Sequence, residues 1–308
     1  MKQSSHKSPG KRLFTGLIFL LALILLLLRG LPNGWFRTDW VSELMPAPAV
    51  PSGEEQDSLT VRFLDVGQGD AILLTCGEES ALIDTGTDAA PVLLQAAKSG
   101  VTRLRYLFIT HAHSDHCGGA ASVCAVLPVE TLVTPGENAS DAALAEYGRW
   151  IGISDTTLDL AARDRVYRLG DATITCLWPR ADADFEADLN GQSMILLLEY
   201  QGIRILFTGD TGWDAEQAIL PLGHIDILKV GHHGSSTSTG DALLEDTTPA
   251  LAVISCGEDN AYGHPHRKTL QRLRANDVSV LRTDRDGTVT VTVQDGTYSV
   301  RTAKSDAK

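Results

Sequence analysis

The sequence predicts an α/β fold, a sandwich of two sheets with helices outside, preceded by one hydrophobic N-terminal helix. Three observations predict it. Apolar runs of strand length recur through both halves of the chain, helical patterns are interleaved among them, and the 308 residues, 43% of them apolar, can build a sizeable core. The same composition excludes a disordered or fibrous chain. The formal charge of −13, from 26 Lys plus Arg against 39 Asp plus Glu, argues against a surface that grips nucleic acid everywhere. It leaves a local basic groove open.

Residues 1–12 carry Lys2, Lys7, Lys11 and Arg12 and no acid, and an uncharged apolar run follows from Leu13 to Leu28. Extended through Leu31, Trp35 and Phe36, the segment 13–36 reaches the length of a membrane span, and Trp35, Phe36 and Trp40 suit an interfacial aromatic belt. A cleaved signal peptide has the same n-region and h-region. Its cleavage site is poorly represented, by the distant Ala47-Pro48-Ala49 alone, which favours the anchor. Either reading keeps the basic end in the cytoplasm and exports the remainder. The expectation is a single-pass protein of the cytoplasmic membrane with its folded domain outside, or a secreted protein if the segment is cleaved. Residues 37–58, rich in Pro, Ser and acids from position 41, read as a linker, and residues 59–303 as the folded domain.

Within that domain, apolar runs predict strands at 59–65, 70–75, 80–84, 104–109, 130–134, 173–178, 193–199, 203–208, 225–230, 251–255, 278–282 and 288–293. Gly202 lies between two of them and marks a hairpin. Helical patterns fall at 88–99, 117–127, 140–150, 213–220, 241–245 and 266–275. Periodicity alone does not separate a two-sheet sandwich from other α/β layouts. The five cysteines are odd in number and show no C-x-x-C spacing; Cys76, Cys176 and Cys256 lie in apolar runs, as buried free thiols do.

The chemistry concentrates in His111-Ala-His113-Ser-Asp115-His116, directly after the apolar run YLFIT and before Cys117-Gly118-Gly119. On an extended strand end, residues two apart point to one side, so His111 and His113 can grip one ion together. Asp115 and His116 follow on the turn and can face a second ion. Imidazole nitrogen with carboxylate oxygen suits zinc, and manganese or iron less exclusively. The alternative, a polar turn of solvated histidines, does not account for three histidines and an aspartate within six residues.

This HxHxDH motif resembles that of the metallo-beta-lactamase superfamily. LDVGQGDA (64–71), LIDTG (82–86), HAHSDHCGG (111–119), NGQSMILLLEY (190–200), ILFTGD (205–210), DILKVGHHGSS (226–236), YGHPH (262–266) and RTDRDGTVTV near the end occur in one order. Together they resemble the hydrolase domain of ComEC-type competence proteins, over roughly residues 59–294. The many-spanning channel of those proteins has no counterpart in this sequence.

The resemblance implies an αββα sandwich with two divalent metal ions, zinc foremost and manganese next. It implies a carboxylate bridging both ions at Asp210, and a late ligand at His232 or His233. Asp84 would orient the histidine loop. One departure stands out: many superfamily members supply a further histidine between the cluster and the bridging aspartate, and none lies between His116 and Asp210 here. Asn190 stands about there, as a weak metal or substrate ligand or as a turn residue. Asp65 and Asp70 are expected to hydrogen-bond ligand histidines, and His264 to act as a general acid or substrate contact. Arg267, Lys268, Arg272 and Arg274 could line a phosphate track or form a solvated helix face; no aromatic residues interleave with them in sequence. Asp115, Asp210 and His264 are thus the catalytic candidates.

The implied activity is two-metal hydrolysis of a phosphodiester, with a nucleic-acid strand as the substrate in full-length relatives. Another ester, such as choline-phosphate, a lactone or a β-lactam, is the alternative enzyme reading. A non-catalytic surface-binding domain is the alternative of another class. No protein partner is deducible.

Overall fold

The computed structural model describes residues 57–135, 156–180 and 189–305, and alternation along its strands decides the layers. The first mixed sheet contains β1 (Leu59–Phe63), β2 (Ile72–Cys76), β3 (Glu79–Ile83), β4 (Leu104–Phe108), β5 (Val129–Pro135) and β6 (Thr157–Ala161). The second contains β7 (Val166–Leu169), β8 (Ala172–Trp178), β9 (Ile195–Tyr200), β10 (Ile203–Phe207), β11 (Ile227–Lys229), β12 (Leu251–Ile254) and β13 (Ser279–Arg282). The chain then returns to the first sheet with β14 (Val289–Gln294) and β15 (Thr297–Thr302). The orders are β15-β14-β1-β2-β3-β4-β5-β6 and β13-β12-β11-β10-β9-β8-β7.

In β9, Leu196 and Leu198 face the core between the sheets, while Ile195 and Leu197 face the outer helices. In β2, Ile72 and Leu74 point inward and Leu73 outward, again into separate cores. Burial on both faces explains why these strands read as unbroken apolar runs. β1 and β14, by contrast, alternate strictly: Leu59, Val61 and Phe63, with Val289, Val291 and Val293, enter the inter-sheet core. Phe63 and Phe207 meet across that core with ring centroids 6.1 Å apart. Truncating either to alanine removes about 3–5 kcal/mol of packing.

Helices cover both outer faces. Val92 and Ala96 of α1 (Ala90–Lys98) and Val123 of α3 (Ala120–Val126) pack on the first sheet. Ala215 of α4 (Trp213–Ala218), Leu243 and Leu244 of α5 (Asp241–Thr247) and Leu273 of α6 (Arg267–Ala275) pack on the second. Two one-turn helices also occur among the described residues: α2 (Ser114–Cys117), on the histidine loop, and α7 (Thr283–Asp286). The expected helix at 117–127 is present as α3, which starts only at Ala120, after Gly118-Gly119.

The strands at β6, β7 and β15 escaped the sequence reading. All are short or edge strands with polar residues on an open side, so their apolar signal is weak. The hairpin at Gly202 is present, with Ile203 opposite Tyr200 and Gly202 at φ +84°. The cysteines are free, and all but Cys117 are buried. Burial pushes the thiols of Cys124 and Cys256 up to about 11. The expected helices at 13–36 and 140–150 lie outside the described residues, among which no helix is long and apolar enough to cross a membrane.

Strands β3 to β6 run parallel, as do β10 to β13. Their C-terminal ends, with the N-terminal ends of the antiparallel neighbours β2 and β9, form one edge of the sandwich. Hydrogen bonds tie the sheets there: Met194 N–H donates to the Thr110 carbonyl at 3.0 Å, and Gly257 N–H donates to the Gln68 side-chain Oε1 at 3.2 Å.

Glu216, on α4, is buried and accepts N–H bonds from Thr239 (2.5 Å) and Gly240 (2.9 Å) just before α5. Burial outweighs those donors and Arg272, and moves the carboxyl from its ordinary 4.5 up to about 6. A raised folded-state pKa contributes stability that is full below about pH 4.5 and lost as pH rises through about 6. Denaturant unfolding of the wild-type chain and Glu216→Gln should therefore show their stability difference shifting by about 2 kcal/mol in favour of the variant between pH 4 and pH 7.

Candidate metal centre

Each motif ends a strand at the shared edge. Asp84 follows β3, the histidine loop follows β4, Asp210 follows β10, and His232-His233 follow β11. Asp70 precedes β2. The loop carrying Asp70 passes so close to the histidine loop that a Cβ on Gly69, at φ +133°, would run into the Asp115 carbonyl oxygen. Only glycine combines that φ with that approach. Asp70 N–H then donates to Asp115 O at 3.1 Å.

At the centre is the Asp210 carboxylate, 2% exposed. Its Oδ2 lies 3.3 Å from His116 Nε2, 3.4 Å from His233 Nε2 and 3.7 Å from His232 Nε2. Asp115 Oδ2 stands 3.2 Å from His233 Nε2. His111 Nε2 and His113 Nδ1 face one another at 3.0 Å, and the His111 ring lies 4.1 Å from that of His116. The sequence left His232 and His233 undecided; the structure puts buried His233 at the centre and His232 on the wall of the cleft.

The two central imidazoles are held from behind. His116 Nδ1 lies 2.7 Å from Asp84 Oδ2, while Asp84 also accepts the Thr110 N–H and Oγ1–H, both at 2.7 Å. His233 Nδ1 lies 3.0 Å from Ser255 O and 3.4 Å from Asp70 Oδ1. A carboxylate or carbonyl behind each ring fixes which nitrogen faces inward. Asp65 is a correction: it is exposed, and its Oδ1 accepts the Gly67 N–H at 3.4 Å. It braces its own turn and holds no histidine, because it lies exposed beyond the end of β1, where its N–H donates to Thr288 Oγ1 at 3.1 Å.

The electrostatics follow from carboxylates crowded out of water. Burial opposes charge on His116, yet Asp210 and Asp84 outweigh it and push the imidazole up to about 10. Burial likewise opposes charge on His233, and Asp210, Asp115 and Asp70 raise it well above its ordinary value. Burial would raise Asp210, but His233 and His116 hold it well below the carboxylate range. His111, in contrast, is pushed well down by burial and by His116.

Cations fit this arrangement. Asp210 Oδ1 is buried and accepts no hydrogen bond, and one ligand atom from each of Asp70, His116, Asp210 and His233 all lie within 4.8 Å of one another. Imidazole and carboxylate donors gathered this closely are the set that zinc, manganese or iron binds.

A cleft of about 270 Å³ opens over the centre, lined by Gln68, His113, Asp115, Asn190, Tyr262 and His264 among others. His264 stacks on Tyr262 at 5.6 Å and stands 5.6 Å from the His232 ring. Burial, then the neighbouring His233 and His266, push His264 down to about 4, so it is neutral at pH 7. Arg272 does not extend into solvent: Nε donates to Thr239 O at 2.9 Å and Nη2 to Ser238 O at 2.7 Å, pinning the loop after His233. Lys268 and Arg267 are exposed. Lys268 lines a second groove that also contains Trp178 and Trp213, aromatic residues that no sequence spacing connected to the basic helix.

Sequence reasoning also missed Lys229. It is 1% exposed, with Nζ 2.7 Å from Asp70 Oδ2 and donating to Val230 O at 2.9 Å. The signal was a lysine inside the apolar run DILKV, where a charge is tolerated only with a buried partner. Lys229→Met should cost roughly 3–5 kcal/mol in denaturant unfolding, because it leaves the Asp70 charge buried without its cation. Lys229→Met with Asp70→Asn should recover part of that loss.

The profile of the Metallo-beta-lactamase superfamily matches residues 64–258. ComE operon protein 3 of Bacillus subtilis is 32% identical over 268 residues, covering 78% of this chain and 34% of that protein. Recombination protein 2 of Haemophilus influenzae is 32% identical over 239 residues, covering 75% and 28%. Competence protein ComA of Neisseria gonorrhoeae is 28% identical over 282 residues, covering 88% and 38%. The chain thus spans about a third of the length of these curated relatives. Among solved structures, the metallo-beta-lactamase fold protein YhfI of Bacillus subtilis matches with a TM-score of 0.54 at 13% identity, over 79% of this chain and 99% of that one. CmlA, a diiron beta-hydroxylase of Streptomyces venezuelae, matches with 0.51 at 12% identity, over 79% and 55%. These two show the fold alone. The family profile and the competence-protein relatives agree with the site: the chain belongs to the metallo-beta-lactamase superfamily, in a branch related to the ComEC-type competence proteins.

Proposed function

We propose that this chain is a two-metal phosphodiesterase that cleaves nucleic-acid strands outside the cytoplasmic membrane, held there by residues 13–36. The observation that carries the metal reading is Asp210, buried between His116 and His233 with one carboxylate oxygen unused. The substrate reading is supported by relatives named for competence and recombination.

His111 and His113 would hold one cation, Asp115, His116 and His233 the other, and Asp210 would touch both. His232 and Asn190, on the cleft wall, would complete the sites or meet the substrate. Zinc suits the donor set best, and manganese next. When bound, the cations supply Lewis acidity, acidifying water and neutralising charge that grows on phosphoester oxygens. The chain's own groups set the geometry. Asp84 and Asp70 hold the inward nitrogens of His116 and His233 in place, and Lys229 holds Asp70. Neutral His264, on the rim, would hydrogen-bond a substrate oxygen.

Asp210→Asn should abolish turnover of bis-p-nitrophenyl phosphate and labelled DNA, by about 10³-fold or more, and lower bound metal measured by mass spectrometry after reconstitution. Full metal stoichiometry with retained turnover in that variant would overturn the bridging role. His264→Ala should leave metal content intact while lowering kcat by roughly 10²-fold. Wild-type chain that binds metal and cleaves no phosphodiester would send the substrate assignment to another ester.

A further inference from the structure

Beside the metal cleft lies a larger groove of about 600 Å³, lined by Trp178, Gly191, Trp213, Ser236, Lys268 and Arg272 among others. We infer that it is a binding subsite for the strand flanking the cleaved bond, in which the Trp213 indole stacks on a nucleobase and the Lys268 ammonium meets a neighbouring phosphate. The inference rests on the phosphodiesterase reading and names the residues that would grip the substrate away from the reacting phosphorus.

The groove adjoins the metal cleft along the chain. Gly191 in the groove adjoins Asn190 in the metal cleft, and Gly212 and Ser236 in the groove closely follow Asp210 and His233. A strand leaving the metal centre past Asn190 would meet the groove at Gly191.

The aromatic side chains of the groove are held in place. Trp213 is 46% exposed, unusual for an indole, yet it is not loose. The Arg272 guanidinium lies over its ring at 5.5 Å, and that guanidinium is fastened to the Thr239 and Ser238 carbonyls. Trp178 is fixed by its indole N–H donating to Gly191 O at 2.8 Å. A rigid, half-exposed ring costs little ordering entropy when a base stacks on it, and any base can do so.

Lys268 is exposed on α6 and has no carboxylate partner among the described residues. In a chain of net charge −13, that lysine is the cation the groove offers to a phosphate, since Arg272 is fastened to backbone carbonyls and lies near the Glu216 carboxylate. Apolar walls with a cation beside them match a polyanion carrying stacked bases. An uncharged apolar peptide would gain nothing from Lys268.

The test uses the full, metal-loaded chain and a fluorescein-labelled phosphorothioate oligothymidylate, which resists cleavage, with binding read by anisotropy. Trp213→Ala should weaken binding roughly tenfold, and Trp213→Phe should restore most of that loss. Lys268→Ala should weaken binding less and reduce the slope of log affinity against log salt by about one. Thermal midpoints of the variants report that they fold. Wild-type affinity in Trp213→Ala, a loss that phenylalanine does not restore, or no oligonucleotide binding by the wild type would each overturn the subsite. Hydrolysis of bis-p-nitrophenyl phosphate by the unaltered chain reports on the phosphodiesterase reading separately. Trp213-dependent binding without hydrolysis would remove the activity and keep the groove.

Discussion

Asp210 is a carboxylate almost wholly withdrawn from water, and an ionised carboxylate in such a place needs positive charge around it. His116 and His233 supply inward-facing nitrogens at 3.3 and 3.4 Å. Those rings must in turn be held, so Asp84 stands behind one and Asp70 behind the other. Asp70 then requires Lys229. The site is thus a nest of alternating charge, each shell made necessary by the one inside it. A buried network of this kind is stable only when every member is satisfied, and the unused oxygen of Asp210 is where a cation would complete it.

The sandwich exists to bring these shells together. Parallel runs in both sheets place the ends of β3, β4, β10 and β11 along one edge, and the loops there carry chemistry while the strands carry the packing. Backbone bonds between the sheets, such as Met194 to Thr110, close the edge into one rigid frame. The fold does not choose the reaction: YhfI and CmlA share it at 13% and 12% identity, and CmlA is a hydroxylase. The detail around the cleft of this chain includes the neutral His264 on its rim and the tryptophan-lined groove beside it.

Much of this was legible in the sequence, and the reason is local. His111, His113, Asp115 and His116 lie within six residues at a strand end, so their spacing alone brings them to one side. The unbroken apolar runs of β2 and β9 announced strands covered on both faces. Edge strands β6 and β15 did not announce themselves, since half of each faces water.

Tertiary structure alone decided the rest. Asp65 and Asp70 sit in the same DVGQGD loop, and nothing in their spacing says that Asp70 turns inward to Lys229 while Asp65 braces a turn. His232 and His233 are neighbours, yet one lies on the wall of the cleft and the other at its centre, because consecutive side chains leave the backbone in different directions. Trp178 and Trp213 meet Lys268 and Arg272 across long stretches of chain. The sequence by itself determined the α/β class and the grouping of His111, His113, Asp115 and His116, because periodicity and close spacing act over a few residues. The assignment of inner and outer carboxylates, and the groove beside the cleft, came only from packing two sheets face to face, which sets contacts between residues far apart in sequence.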